Sequence, residues 1–424
     1  MPEISAAPGE LVLELLRRAL PGPPTILDLR CADDTSRETW TFDTLDTTGN
    51  RHPLALRRNR ARTPDMLVGR ADALTATGEY ALLRYLHARG IPVPRPVAAS
   101  GSPAEAELDC DQRAPGSDSD RRTTAIKPGS DNEPSTATTR PGSDSIPSTA
   151  ADGPGIDGDP AQAAPSGEQR GTARHTDSSR EAAASSACDR NIDDYYIAER
   201  VEGEARPAAL VHDPRFDTVR PHLVRQLGAT LARIHSGTAA DLRFLPHRSP
   251  TAQLDLVRDL LDIGGAPRPA LEAGLRWCRD RLPQLGARPI RLVHGDFRIG
   301  NFAVGPDGLR AVLHWDHAHL GDPALDLANA CLRIRRGGAD DRECGGLGTR
   351  HDFLSAYQAA GGPPIDEPAI HFAEVLTSLR TAGVFLSRTI DFRFGTDHSL
   401  DAAADGRRIA EIEYDLLALL DREP

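Results

Sequence analysis

No two cysteines in this 424-residue chain have the C-x-x-C spacing of a zinc or redox motif. The six cysteines are scattered along the sequence, and none lies near a set of histidines that would complete a metal site. Reduced thiols are therefore the interpretation that we prefer over disulfides or zinc, and they favour the cytoplasm. The six are Cys31, Cys110, Cys188, Cys278, Cys331 and Cys344.

Long hydrophobic runs are also missing. No uninterrupted apolar stretch approaches the roughly 20 residues that span a bilayer. The first residues, which begin Met-Pro-Glu, lack the charged and then apolar pattern of a signal peptide. The sequence therefore predicts a soluble, cytoplasmic protein with no membrane partner.

An excess of positive charge is absent as well. The formal net charge is −12, whereas surfaces that bind nucleic acids are basic, so no nucleic-acid partner is expected. Residues 104–190 contain 16 acidic and 9 basic side chains, a net charge of −7, which leaves −5 for the rest of the chain. The acidity outside this segment is thus too small to predict a cationic substrate.

The same segment marks a domain boundary. Residues 102–190 contain no aromatic side chain, and PGSD recurs at Pro115, Pro128 and Pro141, a period of 13 residues. Such a polar stretch cannot bury enough apolar surface to offset its chain entropy. We predict a disordered insertion at 104–190, which separates residues 1–103 from a short segment at 191–204 and from a helical part at 205–424.

Outside the insertion, strands come first and helices follow. Alternating side chains predict strands at 37–46 and 52–57, and a buried strand at 195–201. Apolar spacing predicts a short helix at 11–20 and a second at 75–89, ended by Gly90. Later helices are predicted at 223–235, 252–263, 268–282, 352–360, 367–390 and 399–421. This order indicates an α+β fold with a small β-rich N-terminal lobe and a larger helical C-terminal lobe.

Two neighbouring motifs carry the chemistry. The first reads HGDFRIGN and places Asp296 after a short apolar strand, with Asn301 five residues later. A carboxylate on such a loop can act as a base toward a substrate hydroxyl, and the amide can reach a Mg²⁺ ion that bridges ATP phosphates. The alternative is structural, with His294 in the core and Asp296 forming a turn.

The second motif, LHWDHAHLGDPALDLA, follows a strand at 309–313. We expect His314 to Asp316 to continue this strand, so that His314 and Asp316 share one face with Val312. Asp322 and Pro323 are suited to begin a helix, as N-cap and first residue. Asp326, in its first turn, is interpreted as a structural anchor rather than a ligand.

The two motifs together resemble the aminoglycoside phosphotransferase family. The pattern of that family is HGD, four residues, N, then a strand ending in D-W-E, and then GDP-x-x-DLA. The segments SRETWTFD and ERVEGE are similar to the branch that contains the phosphotransferase domain fused to some acyl-CoA dehydrogenases. The resemblance covers about residues 10–100 and 191–420 and implies a protein-kinase-like fold that binds ATP and Mg²⁺ between two lobes.

By position, the resemblance implies Asp296 as catalytic base and Asn301 as a Mg²⁺ ligand. Residues 199–201, with Glu199 and Val201 at their ends, would form the hinge that meets adenine. Glu79 would pair with the residue that holds the phosphates. That residue is usually Lys, but Lys127 is the one lysine of the chain and lies in the insertion, so Arg57 takes the position.

Two positions depart from the family pattern. The turn that covers the phosphates, Gly-Gly in relatives, is Asp33-Asp34 followed by Thr35 and Ser36, and carboxylates there repel phosphate. The metal-binding Asp of D-W-E is His314, whereas Mg²⁺ prefers oxygen ligands. Asp316 is either a substitute metal ligand or a structural acid.

Two functions therefore remain open from the sequence. One is an ATP- and Mg²⁺-dependent kinase that acts on a hydroxyl of a small molecule, favoured by Asp296 and Asn301. The other is a pseudokinase-like nucleotide-binding or regulatory protein with a degenerate metal site, favoured by His314 and Asp33-Asp34. No pattern in residues 205–290 or 340–400 identifies the acceptor.

Overall fold

The structure is a computed structural model that describes residues 13, 15–17, 25–32, 37–45, 49–58, 73–100 and 194–422. Ser36, the Asp33-Asp34 turn and the insertion predicted at 104–190 lie outside the described residues. Of the helix predicted at 11–20, only residues 13 and 15–17 are described, and they are helical.

The N-terminal lobe is built on a five-stranded antiparallel sheet. Its strands are β1 (Thr25–Ala32), β2 (Glu38–Leu45), β3 (Arg51–Arg58), β4 (Pro96–Ala99) and β5 (Tyr195–Glu199), in the order β1-β2-β3-β5-β4. Phe42, Leu56 and Ile197 are fully buried on the sheet and pack with Leu16 in one hydrophobic cluster. The predicted strands are confirmed, although β5 ends at Glu199 rather than at residue 201.

Helix α1 (Ala76–Ala88) confirms the helix predicted at 75–89. The Thr75 side chain accepts a hydrogen bond from the Gly78 N–H at 2.9 Å, which satisfies one free donor of the first turn. The Asp194 carboxylate, just before β5, accepts two more from Ala76 and Thr77. Both caps fix the start of a helix that carries Glu79 in its first turn.

The C-terminal lobe is mainly helical, with two small antiparallel strand pairs beneath the N-terminal lobe. Its helices are α2 (Pro207–His212), α3 (Arg220–Ile234), α4 (Pro250–Gly264), α5 (Pro269–Arg281), α6 (Ala324–Cys331), α7 (Arg350–Ala359), α8 (Glu367–Phe394) and α9 (Leu400–Leu420). Its strands are β6 (Arg291–Val293), β7 (Phe302–Gly305), β8 (Gly308–Val312) and β9 (His319–Gly321). β6 pairs with β9, and β7 pairs with β8. The helices predicted between residues 223 and 421 are all present, which confirms an α+β, kinase-like two-lobed fold.

Two clusters of buried side chains fill the C-terminal lobe. One joins α1, α3 and the β7–β8 hairpin, with Trp315 and Phe297 at its centre. The other joins α4, α5, α8 and α9 around Leu275 and Leu379. Among the helices that the structure describes, none is long and apolar enough to cross a membrane. The loop at 294–301 begins where the two clusters meet, since Leu292 of β6 belongs to the first cluster and Val293 to the second.

One local prediction is wrong. The strand expected to run through Asp316 ends at Val312, and Trp315–His317 forms a short 3₁₀ helix. His314 has a left-handed backbone, φ 62° and ψ 67°. Alternation along a strand therefore does not apply, and His314 and Asp316 do not share a strand face. The helix that follows begins at Ala324, one residue later than expected, although the Asp322 carboxylate still accepts from the Ala324 N–H at 2.9 Å.

Candidate active site

The loop at 294–301 is held from below by a buried carboxylate. Asp326, in the first turn of α6, accepts hydrogen bonds from the backbone N–H groups of His294 at 2.7 Å and Gly295 at 3.0 Å. It also contacts His235 Nε2 at 3.2 Å, and the other ring nitrogen of His235 lies 2.8 Å from the Tyr357 hydroxyl. Asp326 thus fixes the start of the loop, as expected for a structural anchor.

Glycine is required at position 295. Its φ of 82° lies in the left-handed region, and a Cβ there would lie 2.2 Å from the carbonyl oxygen of His317. The imidazole of His294 is fully buried, donates from Nε2 to the Leu313 carbonyl at 2.9 Å and accepts from the Asp296 N–H at 3.1 Å. Burial lowers the pKa of His294, which keeps the ring neutral in this tautomer.

Asp296 is the centre of the loop, and three donor groups make four hydrogen bonds to its carboxylate. Asn301 Nδ2 donates to Oδ2 at 2.8 Å, and also to the Asp296 carbonyl at 2.8 Å. Arg298 Nε lies 2.9 Å from each carboxylate oxygen. Asn329 Nδ2, from α6, donates to Oδ1 at 3.2 Å. The structure therefore brings the two predicted residues Asp296 and Asn301 into direct contact.

The charges around Asp296 keep it ionised. Burial alone raises the pKa of this carboxyl group, but Arg298, Arg335 and His317 outweigh that effect and hold the pKa below its ordinary value. Asp296 is therefore an anion at neutral pH, able to accept a hydrogen bond from a hydroxyl group.

A second polar cluster joins the two lobes at Glu79, which is fully buried. Its Oε1 accepts from Arg57 Nη1 at 2.8 Å and from the Tyr196 hydroxyl at 2.9 Å. Its Oε2 lies 3.1 Å from Arg37 Nε. The Trp315 N–H, in the segment that follows β8, donates to Oε1 at 3.2 Å. The Glu79–Arg57 pair expected from the sequence is thus present, and Arg37 and Tyr196 complete a cluster that the sequence did not indicate.

The segment at 313–317 contacts this cluster. Arg57 Nη2 lies 3.2 Å from His314 Nδ1. Asp316 is buried, and its carbonyl accepts from the Leu74 N–H at 2.8 Å. Burial raises the pKa of Asp316, but His317, Arg57 and Arg37 together lower it below its ordinary value. Asp316 is therefore also an anion, and it lies near the guanidinium groups of the N-terminal lobe.

The oxygens available to a cation are few. No cluster of three or more His, Cys, Asp or Glu able to hold a metal occurs within the described ranges. Mg²⁺ often keeps several waters and takes one or two carboxylates together with nucleotide phosphates, so it does not need such a cluster. Asp316 Oδ1 is buried and makes no hydrogen bond with the described residues, and Asn301 turns its Nδ2 toward Asp296. The oxygens of these two residues fit a hard cation, whereas the His314 nitrogen is a poor ligand.

The predicted hinge leads from β5 into the helical lobe. The Glu199 N–H donates to the Arg95 carbonyl at 2.9 Å, and its carboxylate pairs with the Arg95 guanidinium, which lowers the pKa of Glu199. The Arg200 N–H donates to the Pro53 carbonyl at 3.0 Å. Val201 makes no backbone hydrogen bond within the part of the chain that the structure describes. Its peptide groups are therefore available to a ligand.

Three arginines beside the 294–301 loop were not anticipated. Arg298 lies within the HGDFRIGN motif itself, two residues after Asp296, so the motif offered a signal for it. Arg335 follows α6 in a 3₁₀ turn, and Arg380 lies on α8 with Nη2 3.5 Å from the Gly295 carbonyl. The last two are distant in sequence, and only the fold brings them to the loop.

The geometry agrees with comparisons to known proteins. The profile of the family described as phosphotransferase enzyme family matches residues 181–372. The matched segment, just under half of the chain, is similar to this phosphotransferase family. This confirms the resemblance to the aminoglycoside phosphotransferase family inferred from HGDFRIGN and the motif after it.

Curated relatives match shorter segments. Acyl-CoA dehydrogenase family member 10 of Mus musculus is 36% identical over 110 residues, which cover 23% of this chain and 10% of that protein. Acyl-CoA dehydrogenase family member 11 of Homo sapiens is 26% identical over 145 residues, which cover 32% of this chain and 18% of that protein. The chain thus aligns with less than a fifth of the length of either relative. These matches agree with the branch inferred from SRETWTFD and ERVEGE.

Solved structures show the same fold. A Ralstonia eutropha protein assigned as an aminoglycoside phosphotransferase aligns with a TM-score of 0.59 and 15% identity, covering 97% of both chains. An aminoglycoside 2'-phosphotransferase variant in complex with GDP aligns with a TM-score of 0.53 and 11% identity, covering 96% of this chain and 98% of that one. The kinase-like fold of this chain is therefore shared with phosphotransferases.

Proposed function

We propose that the protein transfers the terminal phosphoryl group of ATP to a hydroxyl group of a small molecule, with Asp296 as the catalytic base. One observation carries the proposal: the Asp296 carboxylate is ionised and held by Asn301, Arg298 and Asn329 on a loop anchored by Asp326. Phosphoryl transfer depends mainly on positioning and electrostatics, and this loop supplies both.

In the reaction, the acceptor oxygen bonds to the γ-phosphorus while the bond from the γ-phosphorus to the β,γ-bridging oxygen breaks, so that ADP leaves. The hydroxyl proton passes to the Asp296 carboxylate and then to solvent. The low pKa of Asp296 is compatible with this role, because the transition state is loose and the hydroxyl needs orientation more than early deprotonation.

The nucleotide would occupy the cleft beside β3 and β5. Arg57, oriented by Glu79 and Tyr196, would bind the phosphates with its planar guanidinium. The backbone at Glu199 and Val201 would meet the adenine. When bound with the nucleotide, Mg²⁺ would neutralise phosphate charge, and Asn301 and Asp316 are the residues that would hold it. His314 is a weaker candidate for the same ion than Asp316, because its Nδ1 contacts Arg57 and an imidazole suits Mg²⁺ poorly.

The test uses the Asp296→Asn variant of the full chain, with the exposed Asp307→Asn as matched control. We expect both variants to bind ATP with Mg²⁺, measured by calorimetry. ATP turnover in the presence of a mixed pool of alcohols should fall by about 10²–10⁴-fold only in Asp296→Asn, the range of a general base. Equal turnover in the two variants, or no nucleotide binding by the wild type, would remove the proposal.

A regulatory nucleotide-binding protein is the second candidate. His314, with its left-handed backbone and its contact to Arg57, is the observation that favours it. Calorimetry and turnover separate the two functions. A regulatory protein binds ATP with an affinity that Asp296→Asn leaves unchanged, and it shows no Asp296-dependent turnover.

A further inference from the structure

Two arginines beside the 294–301 loop lack a counter-ion. Arg335 and Arg380 are both partly buried, and neither forms an ion pair within 4.0 Å with a carboxylate of the described residues. Arg335 Nε is buried and has no hydrogen-bond partner in the same ranges. Arg380 Nη2 lies 3.5 Å from the Gly295 carbonyl, directly before Asp296. Both cations therefore lie near the loop without a carboxylate at ion-pair distance among the described residues.

Their burial carries a cost. Loss of hydration lowers the pKa of Arg335 and that of Arg380 to about 10 each, and neighbouring cations add to the effect. The nearby carboxylates are already engaged, because Asp296 accepts from Arg298 and Asp326 accepts from the loop N–H groups. Asp296 therefore acts on both arginines only through longer-range attraction, and no carboxylate of the described residues forms an ion pair with either of them.

Other arginines of the helical lobe show the contrast. Arg258 pairs with Glu272 through two bonds of 2.5 Å, and Arg350 pairs with Glu374 at 2.8 Å. Some partly buried arginines of this lobe therefore pair with carboxylates, and others, such as Arg336, donate to backbone carbonyls, whereas Arg335 Nε does neither. An unpaired arginine at a candidate catalytic loop points instead to a ligand that brings the missing negative charge.

The position of these arginines differs from that of the groups proposed for the nucleotide. Arg57 is on β3 and contacts His314, at the end of the site formed by the N-terminal sheet. Arg380 is on α8 and Arg335 follows α6, so both belong to the helical lobe. Because Asp296 lies on the loop that they flank, an anion bound there would be next to the acceptor hydroxyl rather than next to adenine.

We infer that the acceptor is an anionic alcohol, whose carboxylate or phosphate group is bound by Arg335 and Arg380 while its hydroxyl contacts Asp296. The inference rests on the proposed function. Guanidinium groups suit both anions, since each offers a planar fork of N–H donors that can meet two oxygens. The γ-phosphoryl group passes from ATP to the hydroxyl oxygen, and the hydroxyl proton passes to Asp296. The carboxylate or phosphate group of the acceptor remains unchanged.

The experiment compares alcohols that differ in charge, with the full chain, ATP and Mg²⁺. Glycerate and gluconate represent carboxylates, glycerol 3-phosphate represents phosphate esters, glycerol and sorbitol are the neutral counterparts, and kanamycin is a polycation. We expect kcat/KM for at least one anionic alcohol to exceed that of its neutral counterpart by tenfold or more. The carboxylate and phosphate arms then identify which anion is preferred.

Variants assign the effect to the two arginines. Arg335→Gln and Arg380→Gln should raise KM for the anionic alcohol by tenfold or more, with a smaller change in kcat, and Arg380→Lys should restore part of the affinity. Arg393→Gln is the matched control, because Arg393 is exposed and lies on the same helix as Arg380. Equal kcat/KM for neutral or cationic alcohols overturns the inference but leaves the proposed function intact.

A binding measurement decides the case in which no alcohol of the panel is phosphorylated. Glycerate and inorganic phosphate are titrated against protein saturated with a non-hydrolysable ATP analogue. The inference requires weaker anion binding in Arg335→Gln and Arg380→Gln, by tenfold or more, and unchanged binding in Arg393→Gln. Identical affinities in all forms overturn it. If the ATP analogue itself does not bind, the proposed function fails, and the anion titration still reports on the two arginines.

Discussion

The loop at 294–301 and the segment at 313–317 lie against each other but differ in how their polar groups are satisfied. In the loop, the Asp296 carboxylate and the backbone that precedes it have partners at 2.7–3.2 Å. In the 313–317 segment, His314 has a left-handed backbone and Asp316 Oδ1 has no hydrogen bond with the described residues. One segment is rigidly built, and the other holds strain and an unsatisfied carboxylate.

This difference separates two requirements of phosphoryl transfer. In the proposed reaction, orientation of the hydroxyl would depend on the 294–301 loop, where the sequence pattern and the geometry agree. In the proposed reaction, neutralisation of phosphate charge would depend on the 313–317 segment, where His314 occupies the position of an aspartate in the family pattern and the strand ends early. The comparison predicts that changes in the loop remove activity, while changes in the segment can tune it.

The largest effect is expected from Asp326→Ala, which removes the anchor of the loop. Two backbone N–H groups and His235 lose their acceptor in a fully buried position, so we expect a loss of about 3–5 kcal/mol in the free energy of unfolding. Urea denaturation measures the change, with exposed Asp307→Ala as control. A loss of less than 1 kcal/mol would contradict the view of the loop as rigidly anchored.

Glu79→Gln comes next, because it leaves Arg37 and Arg57 buried without their shared carboxylate. The amide keeps the size and some hydrogen bonds, so we expect a loss of about 2–4 kcal/mol in unfolding free energy. ATP affinity should also fall, since Arg57 loses its orientation. Exposed Glu202→Gln is the control. Unchanged ATP affinity in Glu79→Gln would separate this cluster from the nucleotide site.

Parts of the fold and the site follow from the sequence for local reasons. Thr75 and Gly90 define the ends of α1 because capping needs only nearby residues. Asp296 and Asn301 meet because only four residues of one loop separate them. The left-handed backbone at His314 could not be predicted, since a histidine adopts it only where surrounding structure imposes it. Arg335 and Arg380 reach the loop through the packing of α6 and α8, which no local pattern encodes.

A substitution at position 314 sharpens the comparison. His314→Asp supplies an oxygen ligand next to Arg57, and Asp tolerates a left-handed backbone. We expect Mg²⁺-dependent ATP turnover to rise by roughly 10-fold, in the range of changes reported for groups that tune metal sites. His314→Asn adopts the same backbone without the charge and is the control. A similar rise in both variants would attribute the effect to backbone strain rather than to the metal.

The smallest expected effect is a loss of stability at acidic pH, which tests the buried surroundings of His319 near α8. His319 is buried, and burial together with Arg380 and Arg248 lowers its pKa to about 3, whereas an unfolded histidine titrates near 6.5. At a pH between these two pKa values, His319 is protonated in the unfolded state and neutral in the folded state. The protein therefore loses stability as pH falls below about 6.5, with no contribution from His319 above that value.

Buried His294 acts in the same direction, since its pKa is also lowered by burial. Each histidine contributes a slope of at most about 1.4 kcal/mol per pH unit. Asp296, Asp316 and Asp326 have lowered pKa values and remain ionised in both states above about pH 5. Burial raises the pKa of Asp405, which acts in the opposite direction, so the comparison of variants rather than the total slope reports on His319. His319→Gln should flatten the slope by about half, because the amide does not titrate. Exposed His398→Gln, the control, should leave the slope of stability against pH unchanged. An equal slope in both variants would contradict the prediction. It would show that protonation of His319 carries no penalty in the folded protein and that the nearby arginines do not oppose it.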